Sequence, residues 1–245
     1  MAKNKQTHIL AFAILIIICI VIYLIFKIKY TTREFFESES SGLNEFIDVV
    51  YYINLEHRKD RKEQIERELK KTGITNIQRI PAVYNKENGA MGCTASHINT
   101  LKTFIESGKN RCLILEDDFV FSKSNSDIRN ILENIKSLKF DVLMLSGNVH
   151  GSKNVESNKY IKRVLDAQTT SGYIVTREFA PTLLSNFEDG LALFRQHSDR
   201  GWQYALDMFW KRLQPTSEWY ITNPAIGKQS ESYSDIEGKT VDYGV

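Results

Sequence analysis

One segment constrains this chain more than any other: Leu113-Ile114-Leu115-Glu116-Asp117-Asp118-Phe119, an apolar run that stops at three consecutive carboxylates. The apolar half reads as a short buried strand. Crowding or burying three carboxylates is costly unless cations neutralise them. In open α/β sheets ligands bind at the carboxyl ends of strands, which is where this cluster would sit. Hard oxygen ligands suit Mg2+ or Mn2+, for which a protein supplies one or two ligands while substrate phosphates and water complete the shell. Alternation along an extended backbone puts Glu116 and Asp118 on one face and Asp117 on the other. The bland alternative for such an Asp-Asp pair is a solvated turn or a helix cap.

The chain has 245 residues, room for one membrane segment and one domain with a sizeable core. A formal charge of +2 is too near neutral to argue for nucleic acid as a partner. Cys19, Cys93 and Cys112 make no disulfide framework. Pairing of Cys93 with Cys112 stays open, because it depends on their separation in space.

From Ile9 to Phe26 every residue is apolar or aromatic apart from Cys19, long enough to cross a bilayer. Lys27, Ile28, Lys29 and Tyr30 follow directly, where a cleaved secretory signal would show small residues. The expectation is a tail over 1–8, an uncleaved transmembrane anchor over 9–26, a linker over 27–45 and a globular domain over 46–245. Lys3 and Lys5 before the span and Lys27, Lys29 and Arg33 after it leave the orientation undecided.

Within the domain, Phe46 to Leu55 reads as a buried first strand, His57 to Lys71 as a solvated amphipathic helix capped by Gly73, and Ile74 to Ile80 as a short strand. Apolar Ile98, Leu101, Phe104 and Ile105 predict a helix over Ala95 to Ser107, and Arg111 to Leu115 resumes as strand. Further elements are predicted as a helix over Ser126 to Ser137, strands at Asp141 to Leu145 and Gly172 to Thr176, a helix over Glu178 to Asn186, a helix over Trp202 to Leu213 and a strand at Trp219 to Ile221. Asn148 to Tyr160 and Phe187 to Gly201 read as variable loops, and Asn223 to Val245 as a loop-rich tail. The alternation predicts an open, largely parallel α/β sheet covered by helices.

Four separated pieces, in order, resemble glycosyltransferase family 25, which includes bacterial lipooligosaccharide and animal collagen galactosyltransferases. They are Ile53-Asn54-Leu55 with Arg58, Asp60 and Arg61; Gly92-Cys93-Thr94-Ala95-Ser96-His97; Leu115-Glu116-Asp117-Asp118; and Gly172-Tyr173-Ile174-Val175 with Ala180, then Asp207 and Ser234-Asp235-Ile236. The resemblance implies a GT-A-like, nucleotide-binding open sheet covered by helices, using Mn2+ or Mg2+ and a UDP-sugar donor. It further implies inverting transfer of a hexose, galactose first, to a glycan or a hydroxylysine-type protein acceptor. With the apolar run it implies a single-pass membrane protein, type II with a luminal catalytic domain in a eukaryotic setting.

Carried over residue by residue, the resemblance makes Asp118 the metal ligand with Glu116 as helper. It puts Asn54, Arg58, Arg61, Ser96, His97, Glu116 and Asp117 on the sugar nucleotide. Arg forks match phosphate and ribose oxygens well, although a charged helix face balanced by Asp60, Glu63 and Glu66 is the bland account of the two arginines. Ser96 and His97 are expected to begin a helix and offer free N–H groups, against the alternative of a capping Ser beside a structural His. Asp207, an acid among apolar residues, is the candidate general base. Trp202 and Trp210 stack on sugar or pack in the core. Many metal-dependent relatives of the fold place a His near the end of the domain, and none follows His197 here, so Gln229 or Asp235 is the candidate substitute.

The absence of a Gly-x-Ser-x-Gly elbow argues against a serine hydrolase, and that of a Gly-rich phosphate loop against a nucleotidyltransferase. The competing reading of another class is a catalytically degenerate anchored domain that binds glycan or a partner transferase.

Overall fold

The computed structural model describes residues 15–29, 41–234 and 239–241. The chain divides into two units, Met1–Ser40 and Ser41–Val245. In the first, residues 15–29 form helix α1 with exposed side chains, and residues 9–14 of the expected anchor lie outside the described residues. Among the described residues no helix is long and apolar enough to cross a membrane. That finding overturns the expected single-pass localisation and leaves the expected anchor and membrane partner without support.

The second unit is mixed α/β, built on an eight-stranded sheet of order β2-β1-β3-β8-β5-β9-β7-β6. After the one-turn helix α2 (Leu43–Phe46) come β1 (Val49–Asn54), α3 (Lys59–Lys71), β2 (Ile77–Pro81), α4 (Gly89–Ser107) and β3 (Arg111–Glu116). β4 (Phe119–Phe121), α5 (Asn125–Asn134), β5 (Val142–Met144), β6 (Asn148–Asn154), β7 (Ile161–Gln168), β8 (Gly172–Thr176) and α6 (Ala180–Gln196) follow. Two one-turn helices, α7 (Gly201–Tyr204) and α8 (Leu206–Phe209), lead to β9 (Trp219–Thr222) and β10 (Gly227–Gln229). A last hairpin joins β11 (Ser232–Ser234) to β12 (Lys239–Val241).

β1 runs parallel to β2 and β3, and β5 parallel to β9, whereas β8 is antiparallel to both β3 and β5. The sheet is therefore mixed rather than largely parallel. The expected loop at Asn148 to Tyr160 is in fact β6 and its turn, antiparallel to β7, with a bulge around Gly151. Its polar alternation, Asn-Val-His-Gly-Ser-Lys-Asn, hides the strand, because an edge hairpin buries little on either face.

Every residue of β1 is buried, and its side chains alternate between two cores. Val49, Tyr51 and Ile53 meet Leu101 and Phe104 of α4 and Leu183 of α6; Val50 and Tyr52 meet Ile65 and Leu69 of α3. Helices cover both faces, which explains why β1 and β3 read as continuous apolar runs.

Three predicted elements have different bounds. α4 starts at Gly89, capped by Asn88, whose Oδ1 accepts from Met91 N at 3.0 Å. The start lies ahead of the predicted Ala95, so Ser96 and His97 stand in the helix interior and offer no free N–H groups. α6 continues through the expected loop to Gln196, because Gly190 accepts Phe209 at close range and Leu191 and Phe194 stay buried. The predicted helix over Trp202 to Leu213 breaks into α7, α8 and a 3-10 turn, with Ala205 extended between them.

Candidate functional site

The acidic triplet lies where the apolar strand ends. β3 closes at Glu116, Asp117 and Asp118 form a turn, and β4 begins at Phe119. Phe119 wedges this turn into the domain. A Cβ on Gly172 or Gly227 would come within 2.4 or 2.1 Å of its ring, so both neighbours must lack a side chain. β10 pairs with β4, and Ser230 N donates to Asp118 O at 2.8 Å, so the tail is stitched onto the turn.

The three carboxylates have three different sets of partners. Glu116 Oε1 accepts from Thr170 Oγ1 at 2.6 Å and lies 3.3 Å from His97 Nε2. Asp117 accepts from Asn54 Nδ2 at 2.7 Å and from Arg61 at 3.0 Å. Asp118 pairs with the same Arg61 nitrogen at 3.3 Å and faces the Gln229 amide at 3.4–3.5 Å. The guanidinium thus bridges two adjacent acids.

Their acidities follow from these partners. Burial pushes Asp118 up to about 7, with repulsion from Glu116 adding to it and Arg61 opposing. Asp117 is raised by burial despite Arg61 and Asn54. Burial would raise Glu116 too, but the hydrogen bond and charge of His97, with Thr170, hold it below the usual value. Asp118 is therefore the carboxylate whose charge the protein compensates least.

A pocket of about 130 Å³ opens beside the turn, lined among others by Asn54, Tyr84, Cys93, His97, Asp118 and Gln229. It sits against the carboxyl ends of β1, β2 and β3, which the parallel register β2-β1-β3 brings level. Asn54 holds the wall together, donating to Arg58 O at 3.0 Å as well as to Asp117, and accepting from Arg79 at 3.0 Å.

Of the predicted nucleotide-binding residues, Asn54, Arg61, Ser96, His97, Glu116 and Asp117 line this pocket. Arg58 does not: its guanidinium forks onto Asp60 at 2.9 and 3.0 Å. Ser96 donates to Gly92 O at 2.7 Å and accepts from Val83 N at 2.8 Å, so its hydroxyl pins the segment after β2 onto α4. Trp210 is core, with Nε1 donating to Ala167 O at 3.0 Å, while Trp202 is 67% exposed. Cys93 and Cys112 are both free thiols. Gln229 occupies the place opposite Asp118. Asp235 lies outside the described residues, as does the side chain of Ser234.

Asp207 stands apart from this pocket, in α8. Its Oδ2 accepts from Thr169 N at 3.1 Å. Thr169 has φ 84°, a left-handed conformation costly for a β-branched residue, and the bond to Asp207 helps hold it there. Burial raises the Asp207 carboxyl above its usual value, the Thr169 N–H opposes this, and repulsion from Glu116 adds to it. The adjacent Thr169 and Thr170 therefore tie Asp207 to Glu116. The sequence reading missed both threonines, and the signal available was their position just before the Gly172 motif.

The profile of glycosyltransferase family 25 (LPS biosynthesis protein) matches residues 87–193. No curated protein matches the chain. Among solved structures, A197 from STIV is 12% identical, with 79% of this chain and 92% of that one covered at a TM-score of 0.46. A glycosyltransferase involved in the glycosylation of the major capsid of PBCV-1 is 11% identical, with 77% and 96% covered at 0.47. The mannose-1-phosphate geranyltransferase from Thermus thermophilus is 9% identical, with 71% and 72% covered at 0.39. These structural likenesses are too remote to bear on activity, whereas the family match spans α4, the acidic turn, β8 and most of α6. Over those residues, somewhat less than half of the chain, the sequence is similar to family 25 glycosyltransferases.

Proposed function

We propose that this chain, with a GT-A-like domain, transfers a hexose from a UDP-sugar to a hydroxyl of a glycan or hydroxylysine-type protein, with inversion and with galactose as the first donor to test. The observation that carries the reading is the Asp118 turn, which presents buried negative charge to a pocket at the carboxyl ends of three parallel strands. A nucleoside diphosphate needs such an arrangement, with flat walls for the base and a polar end for the phosphates. Tyr84 is 62% exposed on the wall and braced edge-on by His57 at 5.4 Å, which suits it to the base.

The residues present fit a hard divalent cation. Three carboxylates crowd a turn that the Arg61 guanidinium offsets in part, and Asp118 is the least compensated. Asp118 would hold Mn2+ or Mg2+, with Gln229 beside it and Glu116 as helper. When bound, the cation supplies charge neutralisation for the departing diphosphate. Arg61 positions Asp117 and Asp118 and lies within the pocket wall. Asn54 and Asp117 stiffen that wall.

Asp207 is proposed as the base that takes the proton from the acceptor hydroxyl. Its raised affinity for protons suits a base working near neutral pH. The test is a panel of sugar nucleotides with and without Mn2+, read by donor binding and by release of nucleoside diphosphate. Cation-dependent binding and turnover of a UDP-hexose is the outcome expected. Failure to bind or hydrolyse any UDP-sugar rejects the donor reading.

A further inference from the structure

We propose that Cys93, His97 and Glu116 form a second metal site, for a borderline-soft divalent ion such as Zn2+, separate in chemistry from the hard-cation position at Asp118. Cys93 and His97 stand four apart on α4, so both side chains leave the same face of the helix and point into the pocket. The thiol sulfur, an imidazole nitrogen and a carboxylate oxygen all lie within 4.8 Å of one another. Tetrahedral zinc holds such ligands about 3.4–3.6 Å apart, from bonds of about 2.0–2.3 Å, so the set closes with shifts of about 1 Å.

The surroundings are those of a built site. His97 is fully buried, stacks near Tyr173 at 5.8 Å and meets Phe187 edge-on at 6.2 Å, so its ring has little freedom. Its Nδ1 is 2.9 Å from Tyr173 OH, which leaves Nε2 directed at Glu116. Glu116 is itself held by Thr170 Oγ1 at 2.6 Å. Outer partners of this kind orient metal ligands and tune their affinity. The pocket gives an ion a way in and a fourth position for water.

Binding displaces the Cys93 thiol proton to solvent and leaves a thiolate on the metal. His97 gives up its Nε2 proton to solvent and binds through that nitrogen, while its Nδ1–H is donated to the Tyr173 oxygen. Thiolate and imidazole select zinc or cobalt over magnesium and manganese, so the two positions sort ions by softness. Glu116 is common to both, and occupancy by zinc draws it away from Asp118.

The full-length chain is titrated with Co2+ in excess Mg2+, which fills the hard position. The outcome expected is a sulfur-to-cobalt charge-transfer absorption with the intense visible bands of a tetrahedral ion. Cys93→Ser should remove the charge-transfer band and weaken binding on the order of 100-fold, and Tyr173→Phe should weaken it about tenfold with the band retained. Cobalt binding without a sulfur band, or equal binding by Cys93→Ser, overturns the site. Should that variant not fold, alkylation of the Cys93 peptide in the unaltered chain decides: zinc protects it if the site exists, and unprotected alkylation overturns the proposal. Neither readout involves sugar transfer, so failure here leaves the donor reading intact, and failure there leaves this site intact.

Discussion

The two acidic positions of this domain, the Glu116–Asp118 turn and Asp207, are built in opposite ways. The turn ends a central strand whose neighbours are buried on both faces, and it is clamped by Phe119, β10, Asn54 and Arg61. Asp207 rides on a single helical turn among short pieces, held through one bond to a strained Thr169. The first is set by the sheet, and the second by how a loop happens to pack. Under the proposed function, a cation and a diphosphate would need fixed charge, which the rigid end supplies, and a base meeting variable acceptors would tolerate a looser mount.

The largest effect should come from Asp118→Ala, which removes the least compensated carboxylate. Donor turnover should fall by about three orders of magnitude. Melting temperature should hold or rise, because a buried like charge is gone, and steady-state kinetics with thermal melting checks both. If Asp207→Ala cost more than Asp118→Ala in the same assay, the contrast between the two regions would be reversed.

Arg61→Gln should come next. It leaves Asp117 and Asp118 buried without the guanidinium between them, a loss of about 3 kcal/mol for a buried pair of this kind, measured by denaturant unfolding. Asp207→Asn should lower kcat about 100-fold with donor affinity unchanged. As the proposed base, Asp207 would work ionised, and its carboxyl is raised by burial, so activity should rise with pH through a value above the ordinary carboxylate range. The variant should lack that limb. The sign for stability is the reverse: the folded state holds this proton more tightly than the unfolded one. Its contribution is complete below the ordinary Asp pKa and lost as pH rises through the folded value. The smallest effect is Asn88→Ala, which uncaps α4 and should cost about 1 kcal/mol in unfolding while leaving donor turnover unchanged.

Much of the rigid end was legible beforehand. The apolar run before Glu116 marks a strand buried on both faces, and three acids at its end mark the candidate site, because period and burial are local properties of the chain. The start of α4 was not legible, since Gly89 and Gly92 weaken helix propensity. What holds that first turn is the Asn88 cap and the close approach of Gly92 to Val83 O, where a Cβ would lie 2.5 Å away. The break at Ala205 was hidden for a similar reason. The apolar spacing of Leu206, Phe209 and Trp210 continues through it, yet Trp210 is drawn to Ala167 and Phe209 to Gly190. The apolar run at the N-terminus shows the reverse error, where hydropathy alone suggested a span that no described helix supports.

Local pattern thus settled which strands are central, where the carboxylates sit in the chain and which helix faces are apolar. The division of labour among those carboxylates came from packing. Glu116 belongs to His97 and Thr170, Asp117 to Asn54 and Arg61, and Asp118 to Arg61 and Gln229, partners between 19 and 111 positions away in the chain. Burial and charge act through space with a range of a few ångströms, and no spacing along the chain reports which side chains will fall within it.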